Sequence, residues 1–524
     1  MPVQPTYPGV YITETASGVH TVAGVSTSVT GFVGRARRGP VGDPSICFNF
    51  GEFTRRFGGL WVSGPLSYSV DDFFANGGSQ AVIVRLFKAN GPADSGVASL
   101  TVGNLDLVAA NPGDWGNKLT ATVTYATDAS AAASIAAKYG VTPNDLFDLI
   151  VVDEGANTRE VFRNLTTVAG GGARRADRVL IAESNLVRVK LDNNGDPILQ
   201  NARPANNAAG AGANGNDGAA LADTDFMGAE NLKTGFYALL KTDIFNLLVI
   251  PPDERGGDVP SNVWEKAAKF CADRRAFLIV DPPAGWDANP DTAAQTVRTT
   301  QTNSPIISLT SAANAGLFFP RYRRRDPLRN GQMETFNPSG AIAGVMARTD
   351  SARGVWKAPA GMEASLAGTD ELTVKLTDDE NGLLNPIGVN CLRTFPNIGR
   401  VVWGSRTLRG ADQLADDYKY VPVRRLALFI EESLYRGTKW VVFAPNDEPL
   451  WAQIRMNVGA FMQRLFRQGA FQGASPKQAY FVKCDAETTT QDDINRGIVN
   501  IMVGFAPLQP AEFVIINLQQ IRET

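Results

Sequence analysis

Residues 440–485 read WVVFAPNDEPLWAQIRMNVGAFMQRLFRQGAFQGASPKQAYFVKCD, and the run lays out a strand, a capped helix, a turn and a second strand. Val441, Val442 and Phe443 make a short apolar β-prone run. Asn446 is placed to cap, and Asp447, Glu448 and Pro449 suit a first helical turn, where acids and proline are favoured. Trp451, Ile454, Val458, Phe461 and Leu465 then recur at three-and-four spacing, with Gln453, Ala460, Gln463, Arg464 and Arg467 on the other side. Gly469 and Gly473 punctuate the end, and Ala479, Tyr480, Phe481 and Val482 resume a strand. The stretch predicts a helix laid on a sheet, one face in a core and the other free.

Working outward, Pro422 opens a preceding helix whose core stripe is Leu426, Phe429, Ile430 and Leu434 and which Gly437 ends. Arg424 and Arg425 precede Glu431 and Glu432, an order that runs against the helix dipole and is read as serving contacts with another subunit. Beyond the second strand, DAETTTQDDINRG at 485–497 reads as an exposed loop before a strand at 498–504. At the far end EFVIINLQQIR, 512–522, puts Val514, Ile516 and Leu518 on one face and Phe513 and Ile515 on the other. A strand apolar on both faces at its start needs a sheet to join.

Composition bounds the function. Single cores stop growing at roughly 250–300 residues, so 524 residues imply several domains. Fifty Lys and Arg against 53 acids, a net charge of −3, leave no electrostatic footprint for nucleic acid or an anionic membrane. No apolar run approaches the ~18–20 residues of a membrane span, and the N-terminal residues lack a secretory pattern, so a soluble protein made in the cytoplasm is expected. Cys47, Cys271, Cys391 and Cys484 are far apart, as reduced buried thiols would be.

The chain opens with an arm. Pro2, Pro5 and Pro8 stiffen it, and Val10, Tyr11, Ile12 and Thr13 form a β-prone run that either pairs within its own domain or is added to a neighbour's sheet. Residues 23–88 read as an α/β unit, with strands at 29–34 and 81–87, a helix near 51–57, and an amphipathic segment carrying Val70, Phe73 and Phe74. Arg37 and Arg38 read as a solvated loop. From 91 to 231 the chain turns rich in Ala, Asn, Asp and Gly, with strands expected at 119–125, 146–152 and 179–191 and a flexible loop at 204–220. Gly210, Gly212 and Gly215 spell G-x-G-x-x-G there but lack the strand and helix that a dinucleotide site requires.

From residue 232 helices and strands alternate, as in a parallel or mixed sheet: strands at 245–250, 276–280 and 316–319, a helix at 261–274. Asp281 follows a strand, and Asp326 follows the basic run Arg321, Arg323, Arg324 and Arg325, placements that would suit a ligand site. His20 is the only histidine, however, and no nucleophile elbow, Walker loop or zinc-helix motif is present, so no catalytic, cofactor-binding or metal-ligating residue is assigned. The basic run is read as an ion-pair surface between domains or subunits.

Several pieces belong together: Tyr7 to Ile12 (YPGVYI), Gly31-Phe32-Val33-Gly34 with Gly39-Pro40, the small-residue run 338–361, Gly388-Val389-Asn390, Trp403 to Leu408 (WGSRTL) and Pro510-Ala511-Glu512-Phe513. In that order they resemble the contractile tail sheath proteins of bacteriophages and related injection systems, over about 5–88 and 232–524. Residues 91–231 match only loosely, around Asn111 to Asn117. The resemblance implies a mixed α/β, multidomain subunit. It would have an N-terminal arm at 1–22, a middle domain at 23–90 and 232–345, and an inserted β-rich outer domain at 91–231. An inner domain would span 346–524 and end in a strand arm at 510–524.

It further implies stacked hexameric rings of this chain around an inner tube protein, with baseplate and tail terminator proteins as partners and no nucleic acid or inserted membrane. The arms, Val10 to Thr13 and Phe513 to Ile516 with Leu518, would be donated to neighbouring sheets. Arg464 and Arg467 are expected to face the tube, the alternative being a face within the sheath or in solvent. The particle would be a phage tail or a phage-tail-like device. On residues alone, an α/β enzyme or binding protein for a phosphorylated ligand, or a static shell protein, remains open.

Overall fold

The computed structural model describes residues 20–125, 129–308 and 311–517. They fall into two units, one formed by Ser28–Thr349 and Pro359–Lys419, the other by residues 20–27, 350–358 and 420–517. The fold is mixed α/β, and each unit is built around its own sheet.

In the larger unit eight strands lie in the order Gly399–Val402, Val389–Phe395, Ala315–Phe319, Phe277–Val280, Leu247–Val249, Thr30–Gly34, Ala81–Arg85, Ser45–Cys47. The six inner strands are parallel and the two outermost antiparallel to their neighbours. Thr30–Gly34, Ala81–Arg85, Phe277–Val280 and Ala315–Phe319 are buried at every position, the continuous apolar pattern of parallel strands covered on both faces. On one face the helix Ser261–Asp273 buries Val263, Trp264, Ala267 and Cys271. The helix Pro65–Ala75 buries Val70 and Phe73, and the Phe73 ring meets Phe32 edge-on at 5.3 Å. Against it runs the helix Ser339–Arg353, where added methyls at Gly340 and Gly344 would sit 2.2 and 2.5 Å from the carbonyl oxygens of Ser69 and Phe73. The small-residue run thus serves close helix packing.

One expected boundary moves. Residues 359–419, assigned above to an inner domain, complete the large sheet through Val389–Phe395 and Gly399–Val402. The two motifs they carry meet there. Asn390 donates to the carbonyls of Leu317 (3.1 Å) and Arg406 (2.8 Å) and accepts from the Arg406 amide (2.6 Å). The fully buried Arg406 side chain in turn reaches Asn385, Gly410 and Asp412.

The inserted residues are β-rich, with sheets Ala209–Ala211, Leu119–Thr124, Phe147–Asp153, Thr158–Leu165 and Ser99–Val102, Leu105–Ala109, Val187–Val189 over one core. Two expectations fail. Residues 179–191 are not one strand: Ala176–Glu183 is a helix and only Val187–Val189 pairs. The 204–220 loop is pinned, since Ala209–Ala211 pairs antiparallel with Leu119–Thr124 and the amides of Gly212, Gly215 and Ala219 bond to Leu119, Asn117 and Lys88. Its glycines press on backbone, with carbonyl oxygens 2.3, 1.9 and 2.6 Å from where methyls at Gly210, Gly212 and Gly215 would lie.

Arg38 is likewise no solvated loop residue. It is buried, pairs with Asp153 at 2.8 Å, and lies over the Trp115 ring, joining the inserted sheet to the large one.

In the smaller unit the helix Glu448–Arg467 buries Trp451, Ile454, Val458, Phe461 and Leu465, as the periodicity predicts. Against it lie the helix Val421–Gly437 and the antiparallel pair Tyr480–Lys483 and Met502–Phe505. Three details differ. Asp447 caps the long helix, accepting from the Leu450 amide, whereas Asn446 accepts from the Trp451 indole and donates to the Ile498 carbonyl. Residues 441–443 form no strand: Lys439–Val441 is a 3-10 turn, and Phe443 is fully exposed in a left-handed conformation (φ 69°). The 485–497 segment contains a helix, Gln491–Asn495, capped by Thr490, and the following strand is shorter than expected.

Candidate assembly surfaces

The sheet of the smaller unit has only two strands within the described residues, so each presents one unpaired edge. Phe481 and Met502 are about half exposed, and Gly504 lets the Phe481 ring cross the neighbouring strand, because a methyl there would fall 2.1 Å from it. Past the bridge between Phe471 and Pro507, residues 511–517 carry no strand or helix. Phe513, Val514, Ile515 and Ile516 are 73–84% exposed, and the Tyr420 hydroxyl donates to Glu512 at 3.0 Å where the segment leaves the body. Covering side chains of this size stabilises by about 1.5–3 kcal/mol each. Val10, Tyr11, Ile12, Thr13 and Leu518 lie outside the described residues.

On the long helix Arg464 and Arg467 are both exposed, but they are not equivalent. Arg464 donates to the Val22 carbonyl and lies over the Phe461 ring, so it is engaged within its own chain. The charges on the preceding helix are also satisfied internally. Arg425 makes a two-pronged pair with Asp350 (2.9 and 2.6 Å), Arg424 pairs with Glu431 at 3.4 Å and Arg436 with Glu432 at 2.7 Å, which corrects the reading of Arg424 and Arg425 as contacts to another subunit.

The strand order of the large sheet reverses between Thr30–Gly34 and Leu247–Val249, the place where open α/β sheets bind ligands. Here the chain itself fills that place. Arg35 pairs with Asp253 and donates to the Asp217 carbonyl, and Asp253 also accepts from the Leu221 amide. Asp281 accepts from the amide and hydroxyl of Ser339, at 2.9 and 2.8 Å. Burial pushes its carboxyl up to about 7, against the opposing pull of those bonds and of Arg321.

Asp326 is buried against Arg255 at 2.6 Å and accepts from the Tyr68 hydroxyl at 3.0 Å. Arg321 and Arg324 make largely buried pairs with Asp287 and Asp72, Arg323 makes a half-exposed pair with Glu371, and the exposed Arg325 donates to the Gly331 carbonyl, so three of the four arginines of the basic run are engaged in ion pairs within the larger unit. One cavity beside the run, lined by Tyr68, Asp72, Arg255 and Phe336, measures about 20 Å³, room for one water, and an open cleft of about 480 Å³ is lined by Arg323, Glu371, Lys375 and Glu380.

Among the described residues no group of three or more His, Cys, Asp or Glu side chains is gathered as for a metal ion, and no helix is long and apolar enough to cross a membrane. The four cysteines are buried free thiols. Sequence reading missed Arg85, buried at the end of its strand and donating to the carbonyls of Ala36, Gly39 and Pro112, each at 2.8 Å. A charge closing the apolar run AVIVR is the signal that could have found it.

Comparison with known proteins follows these elements. A tail sheath protein of Vibrio phage KVP40 is 26% identical over 262 residues, 50% of this chain and 38% of that protein. One of Burkholderia phage BcepMu is 25% identical over 48% of this chain and 52% of its own length, so the chain spans about half or less of these curated relatives. Among solved structures, the sheath complex of an extracellular contractile injection system in its contracted state aligns over 99% of both chains, with TM-score 0.59 and 20% identity. A sheath tail protein from Listeria innocua aligns over 93% of this chain and 96% of its own, with TM-score 0.60 and 13% identity. At those identities the likeness is one of fold. The phage tail sheath central-domain family matches residues 228–408, most of the large sheet, and the sheath C-terminal-domain family matches 414–521, the helices and open-edged sheet above. With more than half of its length matched by these two domains in their order, the chain belongs to the phage tail sheath proteins.

Proposed function

We propose that this chain polymerises into a contractile sheath around an inner tube, in a phage tail or phage-tail-like particle, and that contraction drives the tube through a target envelope. The observation that carries this is the pairing, in one unit, of a sheet that among the described residues has two strands and open edges with a segment, 513–516, that exposes four consecutive large apolar residues. A strand donated from a neighbour supplies main-chain hydrogen bonds to an open edge, and its alternate side chains fill pockets there. Donation by the 513–516 segment, and by the 10–13 segment at the other end, links stacked hexameric rings while subunit bodies turn. A head-to-tail contact whose operation does not close on itself builds an open helix. The extended polymer is then one arrangement of a two-state system whose contacts improve on shortening, held by the tube and baseplate and ended by a terminator protein. The outer position of the inserted domain, and a tube contact through Arg467 with Arg464 beside it, belong to the same reading.

The test separates folding from assembly. Val514→Lys with Ile516→Lys alters only exposed side chains, so the subunit should unfold at the same urea concentration as the wild type. Negative-stain microscopy should nevertheless show helical tubes for the wild type and none for the variant, or for a chain lacking residues 1–14. Tubes of ordinary length from either altered chain would overturn strand donation.

A further inference from the structure

The base of the N-terminal segment is fastened to the smaller unit by a series of unlike contacts. Val22 is 1% exposed while its neighbours in the segment are open, so it works as a plug. The slot it fills exists because residue 437, the last of the helix Val421–Gly437, is glycine: a methyl there would stand 2.7 Å from Val22. Arg464 closes over the plug by donating to the Val22 carbonyl. The Val25 amide donates to the buried Ser433 hydroxyl at 3.2 Å, and Gly24 passes so close to the Phe429 ring that a methyl would meet it at 2.9 Å. Where the segment joins the body, Arg425 donates to the Thr27 carbonyl at 2.9 Å while paired with Asp350, both side chains 3% exposed. At the outer end the imidazole of His20 stacks on the Trp440 indole, ring centres 4.2 Å apart.

We infer that residues 20–27 are a mechanical anchor, in which Val22 seated against Gly437 and held by Arg464 transmits tension from the preceding residues into the two long helices. The inference rests on the sheath reading and adds to it a place where force enters the body. Tension from the preceding residues loads these contacts in chain order, from His20 and Val22 inward to Thr27, so the plug must yield before the inner hydrogen bonds are reached. Arg464 is on this account a positioning residue for the arm rather than a contact to the tube. The buried pair of Arg425 and Asp350 fixes the inner end, and Val22 governs release at the outer end.

Thiol labelling reads the anchor directly, since the four natural cysteines are buried. In the full chain carrying Val22→Cys, maleimide should react slowly. Adding Gly437→Ala, which suits a helix better than glycine, or Arg464→Ala should speed labelling by about tenfold or more without lowering the urea midpoint of the unit. Arg464→Lys, which keeps a donor for the Val22 carbonyl, should restore slow labelling. The same Gly437→Ala and Arg464→Ala changes, made together in the chain with Val22 intact, should give tubes that shed rings when contraction is triggered. Labelling at the rate of a free thiol without the added changes would overturn the anchor, and so would unbroken contraction of the double variant. Should wild-type chains form no tubes at all, it is the sheath reading that falls, while slow labelling would still show the plug seated.

Discussion

Asp281 carries the clearest consequence of burial on a single group. Its folded carboxyl holds a proton up to about 7, where the unfolded one releases it near 3.8. Between those values the folded chain binds more protons than the unfolded, so this residue lowers stability as pH rises from about 4 to about 7. Asp281→Asn keeps an acceptor for the Ser339 amide and removes the titration. Urea unfolding across that range should show the variant gaining on the wild type, by up to a few kcal/mol, with the gain levelling off above pH about 7. A gain that does not change with pH would mean the carboxyl titrates normally.

Asn390 shows the other side of legibility at this scale. The motif containing it was readable in sequence, but its reason, a single amide holding three backbone groups of the sheet's edge, was not. Arg38 was not legible, and Arg85 only as a charge closing an apolar run, because a buried arginine and an exposed one look alike until their partners, far along the chain, are known.

Among elements, those with strong periodicity were read correctly. The long helix announced itself by five apolar residues at three-and-four spacing, and five of the six parallel strands by apolar runs, whereas Val389–Phe395, broken by Asn390 and Arg393, was not read as a strand. Errors cluster where local composition and tertiary contacts disagree. The apolar residues Val441 to Phe443 look β-prone, yet the cap at Asp447 follows so closely that the chain turns instead. The run Val179 to Leu191 holds two short elements, and the polar Glu183-Ser184-Asn185 that marks their joint was read through as part of one strand. The Ala, Asn and Gly of 206–218 suggested flexibility, whereas those small residues allow an edge strand to lie against neighbouring backbone. Gly212→Ala distinguishes the two: a flexible loop would tolerate it, but a methyl 1.9 Å from the Gly116 carbonyl should cost about 1–3 kcal/mol. Limited proteolysis of the variant should then cut within 204–220 sooner than in the wild type.

At the scale of the whole molecule, two surfaces that sequence reading had merged come apart. Arg464 and Arg467 sit on the same free face of one helix and were expected to meet the tube together, yet only Arg464 is tied to the Val22 carbonyl. Reversing each charge singly in co-assembly with the tube protein therefore gives separable results. Arg467→Glu should leave sheath-only polymers intact and reduce the fraction of tubes found inside them several-fold. The loss should be steeper at low salt, where repulsion between acidic groups is less screened. Arg464→Glu should weaken the polymer itself, by loosening the base of the N-terminal segment, whether or not a tube is present. Full tube occupancy with Arg467→Glu at every salt concentration would remove this face from the proposed tube contact.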